Sequence, residues 1–271
     1  MRVSIAQFDV TCGAPQDNLA VVREMAGEAA ARRSDVLMLP ELWGSGYDLE
    51  RADHYATGLD EGLFAEMARL ASTHNLYIYG SLLSTVHGRP PTNTAALFAP
   101  DGRLVAEYSK LHLFRLMDED RWLASGPQPV LAETPWGPVG LAICYDLRFP
   151  ELFRHYALEG ARAFWIAAQW PLARVDHWRT LLRARAIENQ AFVIACNRVG
   201  ETDGTPFGGH SAIIGPWGEI VAEAGTSPLL LTADIQVDAV EHVRRTIPVF
   251  EDRRPDVYGL ASPQQIARST P

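Results

Sequence analysis

Cysteine is scarce. The 271-residue chain holds three, Cys12, Cys144 and Cys196. An odd count with no C-x-x-C spacing argues against a disulfide framework. The thiols then stay free, and a reducing, cytoplasmic setting is expected. Paired histidines are missing too. The eight histidines show no H-x-x-x-H or similar spacing, so no metal is expected. No G-x-x-x-x-G-K or G-x-G-x-x-G run is there to cradle a phosphate. No apolar run reaches membrane-spanning length. Met1-Arg2-Val3-Ser4-Ile5-Ala6 enters a strand pattern without the apolar core of a leader, and no membrane partner is expected. The net charge is −9. The short basic pairs, Arg244-Arg245 and Arg253-Arg254, are mixed with acids. Without a basic stripe, no nucleic-acid partner is expected either.

What remains is an orderly alternation of apolar patterns. Short buried runs at 3–8, 35–39, 76–83, 139–144, 163–168, 191–196 and 229–235 read as strands. Helical spacing appears at 61–74, 150–158, 175–190 and 237–244, and after Asp17 or Asn18, either of which offers an N-cap. Asp101-Gly102 and Gly215-Pro216-Trp217-Gly218 are turn signals for two hairpins, 94–98 with 103–108 and 211–214 with 219–222. Gly88-Arg89-Pro90-Pro91 reads as a link, 115–128 as irregular, and Trp136-Gly137-Pro138 as a turn. The pattern predicts one α/β domain over 1–260 with a loose tail over 261–271. Hairpins among crossover units suggest two mixed sheets stacked face to face with helices outside.

Three strand ends carry polar chemistry. Val139-Gly140-Leu141-Ala142-Ile143-Cys144-Tyr145-Asp146-Leu147-Arg148-Phe149-Pro150-Glu151 is an apolar run, a sharp turn and a helix start. A thiol there sits at a sheet rim, near backbone N–H groups that favour negative charge. The bland alternative is a cysteine that fills core space. Glu41 follows the strand closed by Pro40, and Lys110 follows the second arm of the first hairpin. Each alone reads as a surface charge. Together they supply what a thiol hydrolase needs: a nucleophile, a base and a cation for an oxyanion.

These stretches, Leu39-Pro40-Glu41, Tyr108-Ser109-Lys110-Leu111-His112-Leu113 and Ile143-Cys144 through Glu151, resemble the three signatures of the nitrilase superfamily of carbon–nitrogen hydrolases, in the same order. The nearest likeness is to the ω-amidase branch, supported by 113–119, 170–178 and 183–190. The resemblance implies a four-layer α-β-β-α sandwich and a homodimer, with no metal and no organic cofactor. The helix after Cys144 and residues 247–258 are its expected contact surfaces. It also implies a second glutamate, Glu119, seven residues before Gly126. Ser125 stands where the family pattern has proline.

On this reading Glu41 takes the Cys144 proton and Cys144 attacks an amide carbonyl. Lys110 and the backbone N–H of Tyr145 hold the oxyanion, and Glu119 orients Lys110. Lys110 is also expected to bias Cys144 toward thiolate. A small ω-amide of a dicarboxylic acid, 2-oxoglutaramate-like, would need a cation for its far carboxylate. Arg174 is the candidate, with packing on Trp170 the alternative. His177 either assists or lies on a helix surface, and Tyr47 and Trp170 either wall the pocket or pack the core. Arg148 is expected in a structural ion pair, and Cys12 and Cys196 to be inert. The competing functions are a nitrilase, an N-carbamoyl amide hydrolase, a Cys–His hydrolase, or a non-catalytic binding protein on the same fold.

Overall fold

The computed structural model describes residues 1–258, so the tail expected over 261–271 lies outside the described residues. Two six-stranded sheets carry the architecture. The first is built from β1 (Arg2–Gln7), β2 (Val36–Met38), β3 (Tyr77–Val86), β4 (Arg89–Phe98), β5 (Leu104–Ser109) and β14 (Leu229–Asp234). The second is built from β6 (Leu131–Thr134), β7 (Gly137–Ile143), β8 (Ala163–Ala168), β9 (Phe192–Asn197), β12 (Ala212–Ile214) and β13 (Ile220–Glu223). The pair β10 (Glu201–Thr202) and β11 (Thr205–Pro206) forms a separate ribbon. Helices α1 (Pro15–Ala31), α3 (Gly62–His74), α5 (Pro150–Leu158), α6 (Val175–Asn189) and α7 (Ala239–Thr246) are the long ones. Single turns stand at α2 (Ala52–Tyr55), α4 (Glu119–Trp122) and α8 (Pro255–Tyr258).

The sheets repeat one plan. The first runs β14-β1-β2-β3-β4-β5 and the second β6-β7-β8-β9-β12-β13. Each pairs antiparallel, parallel, parallel, antiparallel, antiparallel along that order. Side-chain alternation separates their two faces. Val36 and Met38 enter the core shared with the second sheet, while Leu37 packs outward with Leu19 and Val22 of α1 and Met67 of α3. Tyr79 ties the layers by donating its hydroxyl to the Ala142 carbonyl at 3.0 Å. β8 and β9, parallel and central, are buried at every residue, which is why they read as unbroken apolar runs.

Two local expectations need correction, and one strand was not anticipated. The first helix has no side-chain cap, and Pro15 opens it. Asn18 is instead buried one turn in, exchanging hydrogen bonds with Thr11 and donating to the Gly44 carbonyl. The stretch 88–91 is not a link, because β3 and β4 form a hairpin that closes between Val86 and Arg89. Pro90 and Pro91 are tolerated because β5 pairs with β4 only from Thr94 onward. β6, four residues long, has too little alternation to announce itself.

Candidate active site

Four strand ends converge. Pro40 stops β2, and the backbone turns sharply at Leu42 (φ 44°), placing Glu41 inward. β5 delivers Lys110, β7 delivers Cys144 and β8 delivers Gln169. Glu41, Lys110 and Glu119 are each 0% exposed, so their charges must be balanced by one another. The Lys110 ammonium donates to Glu41 Oε1 at 2.7 Å and to Glu119 Oε1 at 2.6 Å. Asn93 Nδ2 donates to the same Glu41 oxygen at 2.8 Å, and the Gln169 backbone N–H holds Oε2 at 2.9 Å. Glu119 receives a further 2.6 Å bond from the Tyr47 hydroxyl and a 2.7 Å bond from the Phe114 N–H.

Cys144 opens a 3-10 turn, Cys144–Arg148, with φ at +46°. A non-glycine residue held there costs of order 1–3 kcal/mol, so the surroundings must enforce it. The enforcing group is Asp146, 0% exposed. Its carboxylate accepts from Tyr108 Oη (2.7 Å), the Ile143 N–H (2.9 Å) and the His112 N–H (3.1 Å), with His112 Nδ1 at 2.8 Å. One carboxylate thus brackets Lys110 from both sides and ties it to the cysteine turn. Behind the turn, the buried Arg185 donates twice to the Leu147 carbonyl, at 2.8 and 3.1 Å. Replacing Asp146 with alanine strands several buried donors. The expected result is about 3 kcal/mol or more of lost stability and a fall in kcat, checked by urea unfolding and by rate.

The electrostatics at the sulfur pull in two directions. Burial pushes the Cys144 thiol well up, and Glu41 adds to this. Lys110 pulls the other way, but two carboxylates already share its charge. Burial and the Glu41 charge thus favour the thiol, while Lys110 biases the sulfur toward thiolate as expected. Burial works to lower the Lys110 pKa, yet Glu119 and Glu41 outweigh it and raise it, keeping the ammonium charged. Burial also raises Glu119, against the pull of Lys110. Burial raises the Tyr47 hydroxyl well above its ordinary value, with the Glu119 charge adding to it, so Tyr47 stays a donor.

A narrow cleft opens on the thiol, lined by Phe114, Cys144, Tyr145, Arg148, Gln169, Trp170, Pro171 and Arg174. A hollow beside α6 is larger, about 540 Å³, but holds no buried charge cluster. Trp170 and Arg174 reach the cleft together. Their contact differs from the packing alternative: Trp170 Nε1 donates to the Arg174 carbonyl at 2.7 Å, while the Arg174 guanidinium lies 5.6 Å from the Phe114 ring centre. Tyr47 does not line the cleft but serves Glu119. His177 is exposed and outside the lining, its Nδ1 accepting at 3.4 Å from Arg148. Arg148 makes no carboxylate ion pair among the described residues. It stacks on Trp170, 4.7 Å from the ring centre. Cys196 is buried and donates to the Ala6 carbonyl, and Cys12 is exposed and apart from the cleft.

Sequence reading missed Asn93, Gln169, Asp146 and Arg198. Arg198 is fully buried and holds the Gln169 side-chain oxygen at 3.0 Å and Asp9 at 2.6 Å. Gln169 in turn donates to the Glu41 carbonyl at 2.6 Å. Among the described residues, no group of three or more His, Cys, Asp or Glu side chains is placed to hold a metal ion, and no helix is long and apolar enough to cross a membrane.

Stacked mixed sheets with a thiol beside a buried carboxylate–ammonium–carboxylate cluster are the architecture and chemistry of a hydrolase of the α-β-β-α type. The chain belongs to the carbon–nitrogen hydrolase family, whose model matches residues 2–245. It is 40% identical over 256 residues to a 2-oxoglutaramate amidase of Bacillus subtilis, covering 94% of this chain and 98% of that one. It is 30% identical over 268 residues to an omega-amidase of Homo sapiens, covering 96% and 97%. A solved carbon–nitrogen hydrolase superfamily protein from Xanthomonas campestris, with an arsenic adduct in its active site, superposes with a TM-score of 0.88. That pair is 31% identical, with 94% of this chain and 97% of the other covered.

Proposed function

We propose that the protein hydrolyses the terminal amide of a short ω-amido acid, 2-oxoglutaramate-like, to the acid and ammonia. The observation that carries this is the buried Lys110 bonded to both Glu41 and Glu119 beside a thiol at the foot of an arginine-lined cleft. Cys144 gives its proton to Glu41 as sulfur bonds to the amide carbon. The carbonyl electrons move to oxygen, where Lys110 and the Tyr145 N–H receive the charge. Glu41 passes the proton to nitrogen, the C–N bond breaks and ammonia leaves. Water then gives Glu41 a proton and attacks the thioester. The C–S bond breaks, the carboxylic acid departs and the sulfur recovers its proton. Because burial favours the thiol, deprotonation is coupled to the attack, which is the part the Glu41 carboxylate plays. Glu119 and Tyr47 hold the ammonium in place, and Arg174 takes the far carboxylate of the substrate.

Two relatives named for ω-amide hydrolysis support the substrate class. The test is an ammonia-release screen over 2-oxoglutaramate, simple amides, nitriles and carbamoyl amino acids, with Cys144→Ala in parallel. Release from 2-oxoglutaramate, lost by at least about 10⁴-fold in the variant, is the expected result. Preference for a nitrile or a carbamoyl amino acid would replace this reading with another from the same family.

The proposal extends to one domain over 1–260, a cytoplasmic setting that keeps Cys144 reduced, and a homodimer. Ile187 on α6 and Ile247, Val257 and Tyr258 at the C-terminal end are exposed apolar side chains suited to burial against a second copy. A monomeric mass at micromolar concentration would refute the dimer.

A further inference from the structure

Arg198 follows β9 directly and is fully buried, yet its carboxylate partner, Asp9, stands half in solvent. Burial strips the guanidinium of water and lowers its pKa, with Asp9 offsetting only part of this. An apolar side chain packed on Phe207, whose ring centre is 4.2 Å from the guanidinium, would fill the space without that cost. The cost directs attention to what the fork bonds. Nη1 donates to Gln169 Oε1 and to Thr202 Oγ1, each at 3.0 Å, Nη2 to Asp9 at 2.6 Å and Nε to the Val199 carbonyl at 3.0 Å. A guanidinium only donates. Gln169 must therefore turn its oxygen to Arg198, which sends its NH₂ to the Glu41 carbonyl at 2.6 Å. The flipped amide would set N–H against N–H at Arg198 and oxygen against oxygen at Glu41. The Gln169 backbone N–H meanwhile holds Glu41 Oε2 at 2.9 Å and bonds toward the Cys144 sulfur. Gln169 thus grips Glu41 at both main chain and carboxylate, and Arg198 sets how Gln169 stands. Gln169 lines the cleft and Arg198 does not.

We propose that Arg198 is a positioning residue for Glu41: by orienting the Gln169 amide it holds the base in register with the thiol, and it touches no reacting atom. This rests on the amidase reading above, in which Glu41 takes the thiol proton. A base displaced by about 1 Å from the attack geometry can cost about 10²-fold in rate. Substrate binding at the far end of the cleft is left as it was, so the loss belongs to kcat.

The test measures ammonia release from 2-oxoglutaramate in Arg198→Met, Arg198→Lys and Gln169→Met, and with Gln169→Met added to each arginine change. In Arg198→Met kcat is expected to fall about 10–100-fold with KM unchanged. Arg198→Lys, which keeps a donor but not the fork, should recover part of it. Because the effect runs through Gln169, neither arginine change should slow Gln169→Met further. Unchanged kcat in Arg198→Met, a loss carried by KM, or losses that multiply with Gln169→Met would overturn the proposal. A melting curve certifies each fold. Should Arg198→Met not fold, Arg198→Lys carries the same cycle, and full kcat there would overturn the proposal. If wild type releases ammonia from no ω-amide, the amidase reading has failed, and the thiol reports instead. The Glu41 charge raises Cys144, so a displaced Glu41 lets the thiolate form at lower pH in Arg198→Lys. That shift should vanish when Glu41→Gln is already present. A thiolate titration equal to wild type overturns the proposal.

Discussion

Lys110→Met is expected to cost about 3–5 kcal/mol of stability at neutral pH, because it strands two buried carboxylates without their cation. For a protein of this size that is about 10 °C in melting temperature. The sign of the pH dependence follows from the groups left behind. Burial already holds Glu119 above the ordinary carboxylate range. Without Lys110 opposing the shift, its folded-state pKa rises further. A carboxyl raised in the folded state retains its proton there, so its contribution to stability is present below the unfolded pKa and lost as pH rises through the folded one. The deficit relative to wild type should therefore be smaller at pH 5 than at pH 8, read by denaturant unfolding at both. Activity should fall by at least about 10³-fold, since on the proposed mechanism an oxyanion donor is lost as well. A deficit that grows toward acid would mean that the two glutamates are not what Lys110 balances.

The second large effect is expected at Glu41. Glu41→Gln should lower ammonia release about 10³-fold, within the usual range for a lost general base. The same change should make the thiol easier to ionise, because the Glu41 charge is one of the influences that raise Cys144. Turnover and thiolate formation then move in opposite directions. The thiolate absorbance should titrate at lower pH in a protein that has almost stopped turning over. A rate that survives Glu41→Gln would point to a histidine base instead. The amide is not a silent replacement: its NH₂ faces either the Lys110 and Asn93 donors or the Gln169 N–H. A melting curve is the control for that cost, about 1–3 kcal/mol.

How much of this was legible from sequence depended on distance along the chain. The strand ends at Glu41, Lys110 and Cys144 were legible because proline, a hairpin arm and an apolar run each punctuate locally. The groups that hold them were not. Asn93 reaches Glu41 across 52 residues, and Gln169 across 128. Asp146 stood inside the signature, but its reach to Tyr108 and His112 depends on how the second sheet stacks on the first. Tyr47 stood in a glycine-rich, aromatic loop that suggested a pocket wall, yet its hydroxyl found Glu119. Arg148 looked structural because arginines beside acids usually pair. Nothing local revealed that the nearby carboxylate, Asp146, was already occupied by four donor groups.

The shared pairing plan of the two sheets has a consequence for how the reaction is divided. β2 and β8 hold equivalent third places in their sheets, and the segments leaving them meet. The Glu41 N–H points to the Ala168 carbonyl, and the Gln169 N–H to the Glu41 carboxylate. In the proposed reaction, one half of the molecule contributes the proton acceptor, Glu41, and the other contributes the sulfur, Cys144. Catalytic distance is therefore a property of how two layers sit on each other. Substitutions that shift one layer against its mate, far from any substrate atom, will be felt as lost rate before they are felt as lost fold.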